Sequence, residues 1–543
     1  MNQPMKSAPH EKLNTKAAGI IGLAVMCSRV LGLIREQILA YLFGGGRLMD
    51  AYTAAFRIPN LLRDLFAEGA LSTAFVTIFS KTATTDGHDA AWQLANKIVT
   101  LAAVTLSALT VLGIVTTPWI VGYLAPGFDA EKAELTITLT RIMFPFILLV
   151  SMAAVVMGML NARNVFGVPA MASSFFNLGS VISGLLIGYW LDPHWGPRAL
   201  FGIATGTLIG GALQLGVQLP SLARLGYVFR PDFHWRDRGV KAVLYLMGPS
   251  VIAASATQIN VMVNTVFASS LQDGAVTWLN FAFRLMQLPL GLFGVALGTV
   301  SLPLLARLAA NNETNGFRSE LARSLRLGFL LTIPATIGLV ILAEPIMSVL
   351  YQRGKFTAEQ AAQAAGALRF YAVGLCGYAA LKVLVNAFYA LDKRRTPMLI
   401  SFLAIGLNLL FNWFFTFYLG WGHRGLAFST GCIASINFLI LYLLMRRHLQ
   451  HLETTALCKL MGKTLLAGSV LALICWAGHH WLMAQWATMP FMPKLAALMA
   501  TIIVAGGSFF VCASLLRIPE IECVNGCDSQ TAQALILLSS MGA

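Results

Sequence analysis

The sequence predicts an all-α polytopic membrane protein with 14 transmembrane helices, arranged as two parallel-repeat six-helix lobes around a central cavity plus two C-terminal helices. Three observations predict this fold class: few charged residues, long apolar runs and an internal repeat. Of 543 residues, 57% are hydrophobic and 11% are charged, whereas about a quarter of an average soluble domain is charged. A soluble protein of this size could not cover its surface with so few charges, which excludes a cytosolic enzyme and a disordered chain.

The apolar runs have the length of about 20 residues that a helix needs to cross a bilayer, and they are too long for the strands of a membrane barrel. Several runs exceed the bilayer thickness, so we expect these helices to tilt, kink or project beyond it. The predicted spans are 17–43, 49–80, 94–124, 134–160, 168–191, 198–222, 242–269, 275–306, 325–351, 360–390, 398–420, 425–446, 463–485 and 493–516.

The orientation of the spans follows from the distribution of lysine and arginine between alternate loops. Of the 38 basic residues, 23 lie in the loops on the side of the N-terminus, 7 lie in the opposite loops, and 8 lie within spans. Both termini are therefore predicted to be cytoplasmic, and the net charge of +15 is a topology signal that indicates no nucleic-acid partner. The eight basic residues within spans are Arg29, Arg35, Arg57, Arg63, Arg141, Arg284, Arg369 and Lys382.

An internal repeat relates the two halves of the chain. Ala55-Phe56-Arg57 recurs as Ala282-Phe283-Arg284, and Arg141 has a counterpart in Arg369 at nearly the same separation. An even number of spans per repeat makes the repeats parallel, and two such lobes that rock around a central cavity give alternating access. The predicted organisation is a cytoplasmic segment at 1–16, an N-lobe at 17–222 (helices 1–6), a C-lobe at 242–448 (helices 7–12), helices 13–14 at 463–516 and a cytoplasmic tail at 517–543.

Arginines at membrane depth indicate the function. An arginine in hydrocarbon costs at least about 2.5 kcal/mol, so it normally faces a wet cavity or an acidic partner. A set of arginines that outnumbers its acids favours a polyanion, because guanidinium groups bind phosphate oxygens in bidentate fashion and a pyrophosphate offers several. The candidate anion ligands are Arg29, Arg35, Arg63 and Arg284, with Ser28 and Arg57 as secondary candidates and Glu36, Asp50 and Glu68 as gate or charge-pairing residues.

Ion pairing and snorkelling are the alternatives for these arginines. Arg35 could pair with Glu36 or Asp50, and Arg63 with Asp64 or Glu68. Arg141, Arg369 and Lys382 lie toward span ends, where long basic side chains snorkel to the interface.

The helix geometry limits which arginines converge. Arg29 and Arg35 are six residues apart, about 240° around a straight helix, so they meet one ligand only if the helix breaks. Gly32 between them is the residue that permits a break, and Pro59 between Arg57 and Arg63 would kink the second span.

Other polar residues carry weaker signals. Asn408 and Asn412 share one face of the eleventh span and are weak candidates for a cation site, because Asn pairs in membrane helices more often join helices. Six of the eight cysteines lie in or beside apolar runs, and the other two, Cys523 and Cys527, are too few for a zinc site. Nucleotide-binding loops and catalytic motifs are absent from the sequence, which predicts a transporter and not an enzyme.

Several motifs resemble the MurJ/MviN family of lipid II flippases, which belongs to the multidrug/oligosaccharidyl-lipid/polysaccharide exporter superfamily. The resemblance runs in order from about residue 17 to residue 515. It rests on Ser28-Arg29-Val30-Leu31-Gly32-Leu33-Ile34-Arg35-Glu36, Asp50-Ala51, Pro59-Asn60-Leu61-Leu62-Arg63, Phe66-Ala67-Glu68-Gly69-Ala70, Ala125-Pro126-Gly127-Phe128, Met247-Gly248-Pro249, Asn264-Thr265-Val266-Phe267-Ala268-Ser269, Arg284-Leu285-Met286, Gly294-Val295-Ala296-Leu297-Gly298-Thr299 and Gly354-Lys355-Phe356-Thr357.

The resemblance implies a multi-pass protein of the bacterial inner membrane that moves undecaprenyl-pyrophosphate-linked disaccharide-pentapeptide from the cytoplasmic to the periplasmic leaflet. It implies essential arginines at Arg29, Arg35, Arg63 and Arg284, essential acids at Asp50 and Glu68, and a groove for the lipid tail on helices 13–14. It implies no cofactor, but coupling to the membrane potential or to a cation. The expected partners are lipid II, the membrane and other cell-wall synthesis proteins.

The sequence departs from the family pattern at three places. Phe283 replaces an acid that often precedes the eighth-span arginine, and Asp64 replaces an arginine that often follows Arg63. The sodium-binding carboxylate that some relatives carry on the eleventh helix is replaced by asparagine. The alternatives left open are a drug/cation antiporter or another lipid-linked oligosaccharide exporter of the superfamily, and a non-transporting membrane scaffold.

Overall fold

The structure is a computed structural model that describes residues 15–64, 71–486 and 489–521, and within these ranges it is helical without β-strands. Glu68, Cys523 and Cys527, and most of the predicted terminal segments, lie outside the described residues. The helices are α1 (Thr15–Phe43), α2 (Arg47–Arg63), α3 (Ser72–Thr85), α4 (His88–Leu124), α5 (Ala130–Met143), α6 (Phe146–Ala162), α7 (Gly167–Leu191), α8 (Ala199–Gly216), α9 (Leu219–Arg224), α10 (Arg238–Ser269), α11 (Ala275–Pro289), α12 (Ala296–Ala310), α13 (Thr314–Ile341), α14 (Ala343–Tyr351), α15 (Ala358–Val373), α16 (Leu375–Ala390), α17 (Arg395–Trp413), α18 (His423–His448), α19 (Thr454–Ala484) and α20 (Phe491–Leu515).

The predicted all-α membrane fold is confirmed. In the described part of the chain, nine helices are long and apolar enough to cross a membrane, or ten if the bent pair α15 and α16 is one span. Other predicted spans consist of consecutive helices, such as α2 with α3 and α11 with α12. A π-helical segment, Leu290–Val295, joins α11 to α12, and a second one, Phe414–Tyr418, follows α17.

The chain forms two compact units. Unit 1 comprises Met1–Glu36, Phe56–Thr117 and Thr138–Ala254. Its core includes α6, which buries Phe146, Ile147 and Met159 completely. Helices α7 and α8 pack closely through glycines, since a Cβ on Gly206 would lie 2.5 Å from the Cα of Gly184; small residues allow helix backbones to approach in membranes.

Unit 2 comprises Gln37–Ala55, Pro118–Ile137 and Ser255–Ala543. One large apolar cluster contains side chains of α13, α16, α18, α19 and α20, such as Phe329, Val383, Met445, Leu471 and Phe509. The last two helices are therefore packed on the same core as α13. The unit also contains the α1–α2 turn and the α4–α5 loop, which bear on the site below.

The structure decides where two of the predicted spans break. α1 is a continuous helix from Thr15 to Phe43, so it does not break at Gly32. The predicted span 325–351 is two helices, because α13 ends at Ile341 and α14 begins at Ala343. Apolar patterning locates segments that avoid water, but the position of a break depends on what packs against each turn.

Candidate functional site

The two arginines on α1 do not share a direction. Arg29 is exposed, whereas Arg35 is half-buried with its guanidinium carbon 5.3 Å from the centroid of the Phe176 ring. This is a cation–π distance, which holds the guanidinium over a ring of α7. Glu36 is buried with 4% of its surface exposed. Convergence of Arg29 and Arg35 through a broken helix is thus not what the structure shows.

Gly32 lies at a contact between α1 and α7. The side-chain amide of Asn177 donates hydrogen bonds to the Ser28 carbonyl at 3.1 Å and to the Ser173 carbonyl at 3.2 Å. A Cβ on Gly32 would lie 3.6 Å from the same Asn177 nitrogen. The glycine therefore lies against the amide that joins α1 to α7.

Arg63 forms an ion pair, as the alternative reading of the sequence predicted. Its guanidinium donates to Asp64 from Nη2 at 2.9 Å and from Nε at 3.2 Å. Asn60 also donates to Asp64, at 3.4 Å.

Arg284 lies in the third turn of α11. Its neighbour Phe283, which replaces the family's acid, packs its ring against Tyr371 with 5.3 Å between centroids. Thr277 lies seven residues before Arg284, hence on the same face and about 10 Å away along the helix axis. The N-terminal turn of α11 and the candidate ligand are thus parts of one rigid element.

Asp50 binds the N-terminus of α11. Its carboxylate accepts hydrogen bonds from the Gly274 amide at 2.7 Å, from the Thr277 amide at 2.9 Å and from the Thr277 hydroxyl at 2.7 Å. Gly274 has φ of +99°, a left-handed conformation that favours glycine. A carboxylate at a helix N-terminus satisfies free amide donors and complements the helix dipole.

Lys132, in the first turn of α5, supplies the charge that neutralises Asp50. Its ammonium lies 3.0 Å from Asp50 and 2.7 Å from Asp273. Lys132 is 4% exposed and Asp50 is 1% exposed, so the pair is buried. We call Arg47, Asp50, Asp129, Lys132, Asp273 and Thr277 the α2–α5–α11 cluster.

The exposed part of this cluster is a second ion pair. The Arg47 guanidinium donates to both carboxylate oxygens of Asp129 and lies 3.1 Å from Glu131. The hydrogen bonds from Arg47 hold the pKa of Asp129 at about 2, well below its usual range. Since this pKa is depressed, the pair is charged at all physiological pH values and weakens only as the pH falls toward 2.

Lys132 and Asp273 were missed as site residues because the sequence shows them only as loop residues. Lys132 was counted among the seven basic residues opposite the N-terminal side. The feature of the sequence that could have identified Lys132 is its position four residues after the motif Ala125-Pro126-Gly127-Phe128. The structure places Gly127 of that motif against Ser269 of another motif, with 3.4 Å between the Gly127 nitrogen and the Ser269 hydroxyl.

The remaining basic residues within spans have varied surroundings. Arg369 forms an exposed ion pair with Glu344 at 3.2 Å. Arg141 donates to the Ile114 carbonyl at 3.3 Å. Lys382 is exposed near the middle of α16. Arg57 is half-buried on α2.

The amides of the eleventh span join helices. Asn408 donates to Asn260, and Asn412 donates to Asn264, each at 2.8 Å, so the pairs link α17 to α10. Asn264 in turn donates to Thr430 of α18 at 3.1 Å. Within the described ranges, no group of three or more His, Cys, Asp or Glu side chains could hold a metal ion.

Comparison with known proteins identifies the family. The family model for the lipid II flippase MurJ matches residues 39–497. A lipid II flippase MurJ of Burkholderia cenocepacia is 38% identical over 428 residues, which are 78% of this chain and 82% of the relative. A probable lipid II flippase MurJ of Bdellovibrio bacteriovorus is 35% identical over 518 residues, with 93% and 95% covered.

Solved structures show the same fold. A lipid II flippase MurJ in an inward closed conformation superposes with a TM-score of 0.72 at 23% identity and covers 90% of this chain and 98% of its own. An inward-facing multidrug resistance transporter of the MATE family gives 0.65 at 14% identity, with 81% and 95% covered. The extent of the family match and the identity to relatives establish that this chain belongs to the MurJ family of lipid II flippases.

Proposed function

We propose that this chain translocates undecaprenyl-pyrophosphate-linked peptidoglycan precursor from the cytoplasmic to the periplasmic leaflet by alternating access. Its family consists of lipid II flippases, which are inner-membrane transporters and not enzymes. The substrate is lipid II, and the bilayer is the medium from which it is taken. Both termini are proposed to be cytoplasmic, on the basis of the lysine and arginine distribution.

The observation that carries the proposal is the set of arginines on α1, α2 and α11. We propose that Arg29, Arg35, Arg63 and Arg284 bind the pyrophosphate, with Ser28 and Arg57 as secondary contacts. Phe176 and Asp64 hold two of these guanidiniums in defined positions. Side chains that are already ordered lose less entropy when a ligand binds.

The proposed gate consists of Asp50, Lys132 and Thr277 within the α2–α5–α11 cluster. It lies at the end of α1 remote from the N-terminus, which is the periplasmic end if the N-terminus is cytoplasmic. Asp50 holds the N-terminus of α11 there, so opening toward the periplasm requires the Asp50 bonds to Gly274 and Thr277 to break. Glu36 and Glu68 stay candidates for charge pairing, with Glu68 proposed toward the cytoplasmic side.

A drug/cation antiporter is not favoured. The similarity to MATE transporters is at 14% identity and shows the fold alone. A site for cationic drugs would need acidic side chains, whereas the candidate site is rich in arginine.

Replacing Arg29 or Arg284 with alanine tests the function. We expect either variant to fail to support growth of a strain depleted of its own flippase, because the pyrophosphate would lose a charged ligand in a medium of low dielectric constant. The measurement is colony formation on depletion, with immunoblots that confirm equal protein in the membrane.

Arg369→Ala is the matched control for these variants. It also removes an arginine from a span, but one that forms an exposed pair with Glu344, and exposed pairs contribute about 0–1 kcal/mol. We expect full rescue from this variant. Full rescue by Arg284→Ala at normal protein levels would refute the assignment.

We also propose that the protein works together with other cell-wall synthesis proteins. This part of the proposal rests on its family alone. Crosslinking in growing cells, followed by identification of the captured proteins, tests it. Capture of the same proteins by an unrelated membrane protein at equal abundance would argue against a specific partner.

A further inference from the structure

The α2–α5–α11 cluster contains residues that the internal repeat makes equivalent. The repeat relates Arg57 to Arg284, and the same separation of 227 residues relates Asp50 to Thr277. These two equivalent residues bond to each other, since the Thr277 hydroxyl and amide both donate to the Asp50 carboxylate. Equivalent residues can meet in this way only beside the axis that relates the two repeats.

A second pair of contacts follows the same repeat. The separation that relates Arg141 to Arg369 also relates Lys132 to Gln360 and Gly45 to Asp273. In one contact the Lys132 ammonium lies 2.7 Å from Asp273. In its counterpart the Gly45 amide donates to the Gln360 side-chain oxygen at 2.8 Å.

The first turns of α5 and α15, which bear Lys132 and Gln360, also correspond. The Lys132 amide donates to the side chain of Asp129 at 3.1 Å at the start of α5. The Gln360 amide donates to the Thr357 hydroxyl at 3.3 Å at the start of α15. The two repeats therefore have the same capping arrangement at the starts of α5 and α15. In each repeat a side chain of the first helical turn also contacts the facing loop.

The loops that precede these helices correspond as well. The Gly127 amide lies 3.4 Å from the Ser269 hydroxyl, and the Lys355 amide donates to the Tyr41 carbonyl at 2.9 Å. A Cβ on Gly127 would lie 2.5 Å from the Ser269 carbonyl oxygen, and one on Gly354 would overlap the Tyr41 carbonyl oxygen. Two sequence motifs thus form equivalent contacts through the Gly127 and Lys355 amides, and each motif also has a glycine that packs against the facing chain.

The two halves of this arrangement differ in charge. The first half, at α5, holds a buried lysine between two carboxylates, and an exposed arginine pairs with Asp129. The second half, at α15, uses an amide and a hydroxyl in place of the charges. The two halves therefore make equivalent contacts, but only the half at α5 makes them with charged side chains.

The difference in charge predicts a difference in how easily each half opens. A buried ion pair loses hydration when it forms, and the two ions regain that hydration when water enters, so separation of the pair is largely compensated. The groups of a neutral hydrogen bond also regain bonds to water when it breaks, but they gain no ion hydration, and the close backbone packing around them is lost. The charged half can therefore alternate between a closed paired state and an open hydrated state.

We propose that Lys132 is a positioning residue for transport, which acts through Asp50 and Asp273 to hold α11 closed at this end, and that the neutral Gln360 contact is the pivot that stays formed. The proposal rests on the proposed function, because it assigns these contacts to the gate of the flippase. Since Thr277 and Arg284 lie on one face of α11, release of Asp50 from Thr277 would move the helix that carries Arg284.

The test measures opening directly, with a reporter cysteine. Ala54 is fully buried on α2, one turn after Asp50, and Ala54→Cys in a background without native cysteines can be labelled by a membrane-impermeant maleimide added outside intact cells. We expect Lys132→Ala and Lys132→Gln to be labelled at least about tenfold faster than the parent, because either one leaves Asp50 without its cation. Lys132→Gln is informative because it converts the charged half into a copy of the neutral half.

Two variants are matched controls. Gln360→Ala removes the neutral counterpart but leaves the Asp50–Lys132 pair in place, and Arg47→Ala removes an exposed ion pair, which contributes little. We expect both variants to be labelled within about threefold of the parent. The double variant Asp50→Asn/Lys132→Met leaves no unpaired charge, so we expect slower labelling than with Lys132→Ala.

Each outcome bears on one claim. A Lys132→Gln protein with a normal elution profile and the labelling rate of the parent would overturn the role of the charge. Equal acceleration by Gln360→Ala would overturn the pivot. Labelling reports opening whatever the cargo is, whereas failure of the proposed function would appear as rescue by Arg284→Ala, so the two failures are distinguishable.

Discussion

At the scale of single residues, the backbone geometry of Gly274 determines how Asp50 meets α11. The residue has φ of +99°, and a Cβ there would overlap both the Gly45 carbonyl oxygen and the Trp278 ring. In this conformation its amide donates to the Asp50 carboxylate at 2.7 Å. A glycine between two spans looks like any loop glycine in the sequence, and only the facing residues reveal its constraint.

Gly274→Ala should destabilise the protein by about 2–4 kcal/mol, through left-handed strain and steric overlap. Unfolding by denaturant in detergent solution, followed by tryptophan fluorescence, measures the change. Gly406→Ala is the control, because nothing lies within 4 Å of a Cβ there; in a helix interior this change should stabilise by about 0.5–1 kcal/mol. Equal effects of the two substitutions would contradict the structural account.

At the scale of helices, apolar length predicts where a span lies and tertiary contacts determine where it breaks. A glycine permits a break at Gly32, yet Asn177 packs against that turn and α1 continues. The chain departs from regular α-helix at Leu290–Val295 instead. A π-helical segment of this kind often marks a functional position, and here it follows the helix that carries Arg284.

The amide pairs between α10 and α17 give a prediction at this scale. Asn412→Ala and Asn264→Ala, singly and together, should show a coupling energy of about 0.6–1.7 kcal/mol, the range for hydrogen bonds between membrane helices. The measurement is a double-mutant cycle from unfolding in detergent. Additive effects would mean that the 2.8 Å hydrogen bond contributes nothing to stability.

At the scale of the whole molecule, the charge that is moved determines how the free energy of transport depends on the membrane potential. The cargo's pyrophosphate is anionic, and the proposed direction is from cytoplasm to periplasm. A potential that is negative inside favours outward movement of an anion by about 2.3 kcal/mol per elementary charge per 100 mV. The amide pairs of α10 and α17 carry no charge, which makes them weak candidates for the site of a coupling cation.

Collapse of the membrane potential should therefore slow the appearance of lipid II at the outer leaflet. We expect a decrease of at least about tenfold when an ionophore removes 100 mV, on the basis of one transferred charge. A leaflet-accessibility assay for lipid II measures this, with replacement of sodium by potassium at constant potential as the control. A rate that follows sodium and ignores the potential would contradict it.

The sequence alone determined the membrane class of the fold; the approximate spans, the repeat and the arginines of a pyrophosphate site are its predictions. These properties are legible because apolar length, basic loops and charges at membrane depth each have a large local cost or benefit that one chain segment displays by itself. The family resemblance added the cargo, and the comparisons confirmed the family.

The tertiary structure alone decided which charges distant in sequence meet. Arg63 pairs with Asp64, its neighbour in sequence, but Asp50 pairs with Lys132, which lies 82 residues away. The sequence does not show whether a loop lysine is an exposed residue that sets the topology or a buried counter-ion such as Lys132. The distinction arises only when folding brings two carboxylates to the same lysine and removes the water around them.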